Sequence, residues 1–210
     1  GLLGTRKVGH SGTLDPDATG VLVLGVGRAT RLLRYLTELG KSYDGEIVLG
    51  VETSTLDAAG EVTATHDMTG VTLAEARAAV DRHLTGEILQ VPPMVSAVKV
   101  DGRRLHELAR EGIEVEREAR PVTVHRFDLS EVPGEPGVLA AAVDCSSGTY
   151  VRTLAADLGH LLGGGAHLRS LRRTAVGGFG LDAAVALESL TPEALLPVDA
   201  AVGHLARVTV

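Results

Sequence analysis

The residues with the most chemical content lie near the start of the chain, in Gly9-His10-Ser11-Gly12-Thr13-Leu14-Asp15-Pro16-Asp17-Ala18-Thr19-Gly20. Glycines there permit tight turns and the close approach of a ligand to the backbone. Pro16 restricts the residue before it, so Asp15 is held rather than free to swing. Three chemistries suit such a segment. It is a turn with an aspartate cap, a glycine-rich cradle for phosphate, or a loop that aims a carboxylate into a cleft.

The phosphate cradle lacks its pattern: no glycine-x4-Gly-Lys-Ser/Thr and no Gly-x-Gly-x-x-Gly lies between a strand and a helix. Asp15-Pro16-Asp17-Ala18-Thr19 resembles the D-x-D-x-T signature of haloacid-dehalogenase-like phosphatases. That signature follows a hydrophobic strand, whereas here the apolar stretch Val21–Val26 comes after it. The lysines are limited to Lys7, Lys41 and Lys99, and no Asp-Asp pair follows to hold magnesium. A cap and an aimed carboxylate remain.

The elements that must position this loop follow from periodicity. Val21–Val26 is expected as a buried strand, and Arg28–Leu39 as a helix ending at Gly40 with Leu32, Leu33, Leu36 and Leu39 on one stripe. Ser42–Leu49 alternates as a strand. Thr72-Leu73-Ala74-Glu75 is a capping box opening a helix to about Leu84. Strands are expected at Glu87–Gln90, stopped by Pro92-Pro93, and at Val95–Val100, before the turn Asp101-Gly102. Arg103–Glu111 reads as helical, Val122–Leu129 and Val138–Cys145 as neighbouring strands, and Leu168–Val176 as a further strand. Thr149–Leu162 reads as an amphipathic helix closed by three glycines. Arg152 falls in its first turn, where the helix dipole disfavours a cation, so a partner is expected. The interspersed elements predict an α+β fold with a mixed, largely antiparallel central sheet flanked by helices. Residues 91–121, rich in Arg, Glu and Pro, are expected to protrude as an arm.

Composition fits a globular protein, with 44% hydrophobic and 22% charged residues. One cysteine, Cys145, excludes an internal disulfide framework and a cysteine-rich zinc site, and makes a reducing cytoplasm the expected setting. No apolar stretch is long enough to span a bilayer, and Gly1–Lys7 has no leader-like apolar region. The net charge of −7 argues against a polyanionic partner until it is divided. Residues 1–45 carry six basic against four acidic groups, and residues 145–180 carry four arginines against Asp157 alone. The acid lies elsewhere, so a local basic face is available.

From Lys7 through Leu22 the segment resembles the signature of the TruB family, which makes pseudouridine 55 in tRNA. The resemblance continues through Lys41-Ser42-Tyr43, Leu49-Gly50, Thr53-Ser54-Thr55-Leu56-Asp57-Ala58-Ala59-Gly60-Glu61 and Gln90-Val91-Pro92-Pro93-Met94-Val95-Ser96-Ala97-Val98-Lys99. It runs on through Cys145-Ser146-Ser147-Gly148-Thr149-Tyr150-Val151-Arg152-Thr153-Leu154 and Gly165-Ala166-His167-Leu168 to Leu171-Arg172-Arg173. It implies a pseudouridine synthase fold with an RNA-binding arm. It implies isomerisation of uridine 55 in the tRNA T-arm, after base flipping, by Asp15-dependent cleavage and re-formation of the glycosidic bond, with no cofactor and no metal. Asp15 would be the catalytic carboxylate, Arg152 its partner, and Tyr43 the residue stacked on the target base. His10 would meet the flipped nucleotides and Leu171 would line the base pocket. Gly12, Thr13 and Tyr150 fall in the same substrate-facing motifs. Phosphate contacts are expected from Arg103, Arg104 and Arg110 on the arm and from Arg172 and Arg173 near the site. Equal numbers of acids and bases in the arm predict modest salt dependence.

The chain departs from the resemblance at its flanks. A Lys-Pro motif before the loop is not found, and the sequence stops about where a small C-terminal RNA-binding domain is expected, which leaves residues 1–210 as the catalytic domain. A monomer acting on the T-arm stem-loop is the expected state. Two other functions fit the same residues in part: a non-catalytic tRNA-binding or tRNA-folding module, and a magnesium-dependent phosphatase.

Overall fold

A computed structural model describes residues 2–96, 98–100 and 102–203, except the side chains of Lys99, His106 and Ala200. The motif residue Ala97 and the chain end at 204–210 lie outside the described residues.

The chain begins with β1 (Val8–His10), β2 (Thr19–Gly20) and β3 (Leu24–Val26), followed by a 3₁₀ turn at Gly27–Leu32 and α1 (Leu33–Thr37). Then come β4 (Lys41–Leu49), β5 (Val51–Thr53), β6 (Val62–Thr65) and α2 (Leu73–Ala79), which runs into a π turn at Val80–Leu84. Next are β7 (Gly86–Gln90), β8 (Lys99–Val100), β9 (Arg103–Arg104), α3 (Leu105–Arg110), β10 (Arg120–Glu131) and β11 (Val138–Cys145). The described chain closes with α4 (Val151–Leu161), β12 (Ala166–Val176), β13 (Phe179–Gly180), three short 3₁₀ turns and α5 (Val198–Ala201).

The main sheet has the order β13-β12-β4-β11-β10-β7, antiparallel throughout, with β2 added to β12 as a parallel pair. It is the mixed, largely antiparallel sheet that the periodicity predicts. Alternation decides its buried face. In β11, Leu139, Ala141, Val143 and Cys145 are buried, and they stand opposite Ile47, Gly45, Tyr43 and Lys41 of β4. That face packs on Val151, Leu154, Ala155 and Leu158 of α4 and on Ala76, Val80 and Leu84 around α2. The Thr72–Glu75 capping box forms as expected. Gly159 of α4 lies so close to β12 that a Cβ there would sit 2.3 Å from the Ala166 backbone nitrogen.

Several expectations are corrected. Val21–Val26 is not one buried strand: only Leu24–Val26 pairs, with β1 in a separate two-stranded ribbon, and Leu22 and Leu24 are exposed. The Val21 N–H bonds instead to the Arg173 carbonyl at 2.8 Å, which ties the loop to the main sheet. Arg28–Leu39 divides into a 3₁₀ turn and a five-residue α-helix. Val95–Val100 yields only the two-residue strand β8. Between β7 and β10 the chain does leave the sheet, but Arg120 and Pro121 already pair with β7, which shortens the arm.

Leu154 is fully buried at the heart of the α4–sheet contact. Leu154→Ala is expected to lower unfolding free energy by about 2–5 kcal/mol. Denaturant titration checks this, and a loss below ~1 kcal/mol would show that α4 is not the core element described.

Candidate active site

Arg152 is the second residue of α4, near its N-terminus, and only 3% of its surface is exposed. A guanidinium carries five N–H donors in a rigid fork, and here each has an acceptor. Nε lies 2.8 Å from Asp15 Oδ2, and Nη2 donates to Asp15 Oδ1 at 3.0 Å, a two-point grip on one carboxylate. The second Nη2 hydrogen goes to the Val95 carbonyl at 3.0 Å. Nη1 donates to the Thr55 carbonyl at 3.0 Å and faces Asp57 Oδ2 at 3.3 Å. The partner expected from the helix dipole is thus two carboxylates, from two different loops.

Asp57 is fixed in its own right. Its Oδ1 accepts from the Ala59 N–H at 3.1 Å and from the Thr55 hydroxyl. Leu56 takes a left-handed conformation, φ 63°, that turns the chain there. The turn is sewn to β12 by Leu168 N–H to Leu56 O and Ala58 N–H to Leu168 O, each 3.0 Å. The Asp57 role was not readable from its motif, since nothing local says that a turn aspartate meets a helix arginine 95 residues away in the chain.

The Asp15 side chain is 40% exposed, so it faces an opening while its arginine is buried. Its loop is held from behind by Arg173 on β12. Arg173 is 2% exposed and donates from Nε to Val21 O at 2.7 Å, from Nη1 to Thr13 O at 3.3 Å and from Nη2 to Gly12 O at 3.2 Å. This corrects the expectation that Arg173 reaches phosphate: its donors point inward at backbone carbonyls on both sides of Asp15. Gly20 completes the closure. Its φ is 101°, and a Cβ would lie 2.1 Å from the Arg173 carbonyl oxygen, so no other residue fits. Arg172, next in the strand, is exposed.

Tyr43 stands directly across from Arg173 in the β4–β12 register, and Leu171 pairs with the next inward position, Gly45. Tyr43 and Leu171 are half-buried and pack on the core. Burial pushes the Tyr43 phenol above its ordinary value of 10.0; the Cys145 thiol adds to this, and the Arg173 guanidinium beside the phenol opposes it. The phenol is therefore protonated throughout the neutral range. His10 is exposed on β1, its Nδ1 accepting from the Gly12 N–H at 3.3 Å. Thr13 is exposed, Gly12 half-buried, and Tyr150 is the residue that caps α4.

The arm arginines are not gathered at this cluster. Arg103 pairs with Glu111 at 2.5 Å, the Arg104 backbone N–H bonds Glu107, and Arg110 is exposed. A basic group missed by the sequence reading lies elsewhere. Arg28, Arg31 and Arg34 are exposed and, among the described residues, have no ion pair with an acid. A 3₁₀ turn brings residues three apart into register, so Arg28 and Arg31 form one row that Arg34, stacked 4.6 Å over Tyr35, continues. The signal was the i, i+3, i+6 spacing of the three arginines.

A carboxylate gripped by a buried guanidinium, beside a protonated phenol and an apolar wall on an antiparallel sheet, is an arrangement suited to carboxylate-centred catalysis. The same fold occurs in a crystal structure of a Cbf5–Nop10–Gar1 complex, with TM-score 0.73 and 29% identity over 97% of this chain and 55% of that one. It occurs again in an H/ACA RNP bound to a substrate RNA containing 2′-deoxyuridine, with TM-score 0.69 and 25% identity over 97% and 54%. The profile described as TruB family pseudouridylate synthase (N terminal domain) matches residues 1–151, and that described as tRNA pseudouridylate synthase B C-terminal domain matches 152–208. The chain belongs to the TruB family of pseudouridylate synthases. Proteins named tRNA pseudouridine synthase B from Aromatoleum aromaticum and Rhodococcus jostii are 53% and 56% identical to it, over 99% and 95% of this chain. The chain spans 68% and 67% of those two relatives, and 64% of the one from an Arthrobacter strain.

The raised Tyr43 value sets a pH dependence. Stability from the neutral phenol is complete below its unfolded value near 10 and is lost as pH rises through the higher folded value. Ultraviolet titration of the folded protein should show a late tyrosine step, above the ordinary phenol range, and Tyr43→Phe should remove it. A late step that survives in Tyr43→Phe would contradict the burial described.

Proposed function

We propose that this chain converts uridine 55 of the tRNA T-arm to pseudouridine. The observation that carries the reading is the half-open Asp15 carboxylate gripped by buried Arg152, in a member of this family. The reaction breaks the bond from ribose C1′ to uracil N1, turns the base, and joins C1′ to C5. The C5 proton is lost and N1 gains one, so the product is an isomer and no electrons are exchanged. Asp15 supplies negative charge against C1′ as the bond to N1 breaks, and the two-point grip of Arg152 holds that carboxylate in one orientation. Tyr43 presents a ring face and a protonated hydroxyl to the base, Leu171 gives an apolar wall, and His10 borders the opening.

The target base is stacked inside folded RNA, and extruding it costs about a few kcal/mol. Binding must supply that, and the row Arg28, Arg31 and Arg34, which has no ion pair among the described residues, provides cations for phosphates. Arg172 and Arg110, both exposed, add to the same contact set. Arg103 and Arg104 complete it at the arm. We place the reaction in the cytoplasm, where the lone thiol of Cys145 stays reduced, with the protein acting as a monomer.

Asp15→Asn is expected to lower pseudouridine formation on a T-arm stem-loop by more than about 10³-fold, with RNA affinity within a few-fold of wild type. Pseudouridine mapping and filter binding measure the two. Full product formation by the variant would remove Asp15 from the chemistry, and full biological effect without product would favour a non-catalytic tRNA-folding role. Replacing Arg28, Arg31 and Arg34 together by Ala should weaken RNA binding and flatten the log–log salt slope by about 2–3. An unchanged slope would show that the row does not touch phosphate.

A further inference from the structure

We infer that Gln90 is a positioning residue for the reaction, acting through Tyr150 to hold Arg152 in line with Asp15; this rests on the activity proposed above. Gln90 ends β7 and is 2% exposed. Its carboxamide grips one residue at both backbone atoms: Oε1 accepts from the Tyr150 N–H at 2.7 Å, and Nε2 donates to the Tyr150 carbonyl at 3.1 Å. A side chain here imitates one rung of an antiparallel ladder.

Tyr150 is the cap residue of α4, and its own side chain makes no capping bond. Helix starts carry unpaired N–H groups and fray unless held. Gln90 holds this one from outside the helix, two residues before Arg152. The same stretch of chain grips the helix start a second time, since the Val95 carbonyl accepts from Arg152 Nη2 at 3.0 Å. Between the two grips lie Pro92 and Pro93, both buried, which stiffen the connection. The root of the arm is thus fastened to the helix turn that carries Arg152, and Gln90 makes the first of its two attachments. Core contacts of Leu154 and Leu158 keep α4 folded without Gln90. What the amide adds is the placement of the first turn, where a shift of about 1 Å in the guanidinium is enough to cost ~100-fold in rate.

The test compares wild type, Gln90→Met, which keeps the length and loses both hydrogen bonds, and Gln90→Glu, which keeps the acceptor for the Tyr150 N–H. One readout is independent of activity: hydrogen exchange of the Arg152 Nε–H, assigned in ¹⁵N spectra by its loss in Arg152→Lys. The other is single-turnover pseudouridine formation at saturating enzyme, with RNA affinity measured alongside. Gln90→Met is expected to exchange that proton at least ~10-fold faster and to react about 10- to 100-fold more slowly, with RNA affinity within ~2-fold of wild type. Gln90→Glu should recover part of both losses. Wild-type exchange and rate in Gln90→Met would overturn the inference, as would a rate loss matched by an equal loss of RNA affinity. A wild-type protein that leaves the T-arm uridine unchanged would overturn the proposed activity instead, and the exchange measurement would still decide the role of Gln90.

Discussion

Burying the Arg152 guanidinium is the constraint on which the rest of the site depends. An unpaired charge at that depth is strongly destabilising, so the position is tenable only if every donor finds an acceptor at once. The acceptors come from three segments far apart in the chain: the loop at Asp15, the turn at Thr55 and Asp57, and the root of the arm at Val95. None of these is near α4 in sequence. Folding the arginine inward therefore draws the loop, the turn and the arm root to one point. The two carboxylates around one cation leave a local excess of negative charge at the more exposed of them, which is Asp15.

A second buried arginine divides the work with the first. Arg152 binds carboxylates and so sets the charge of the site, whereas Arg173 binds carbonyls and so sets the path of the backbone. Carbonyl dipoles solvate a guanidinium without neutralising it, so the positive field of Arg173 persists beside Tyr43 and opposes the effect of burial on its phenol. The glycines follow from this packing. Gly20 lets the loop lie against the Arg173 backbone, and Gly45, whose Cβ would sit 2.7 Å from the Ser170 carbonyl, lets β4 and β12 close beside Tyr43 and Leu171.

Long elements with a clear period were legible in the chain. Ser42–Leu49, Val138–Cys145 and the helix after Thr149 stand within two residues of their expected ends, because each contributes side chains to the same core. The apolar run at Val21–Val26 misled for a physical reason: it lies at the rim, where Val21 turns inward to the sheet while Leu22 and Leu24 face out. Arg28–Leu39 misled because a leucine stripe is compatible with a 3₁₀ start as well as with an α-helix. The charge map was informative in outline only. It marked residues 1–45 as basic, but which arginines are free depends on where the acids fold: Arg103 meets Glu111, while Arg28 and Arg31 meet none among the described residues.

By itself the sequence determined the family, the α+β class and the identities of the chemical groups, because these reside in ordered motifs and in side-chain periods that any fold of this chain must satisfy. It also determined that Arg152, at a helix start, requires a negative partner. Only the tertiary structure decided who the partners are and which way each arginine points. Arg172 and Arg173 are adjacent and identical in composition, yet one faces water and the other is sealed behind the Asp15 loop. Strand alternation forces neighbours to opposite faces, but which face is buried is settled by α4 and the loop packing across the sheet, through contacts between residues more than a hundred positions apart in the chain.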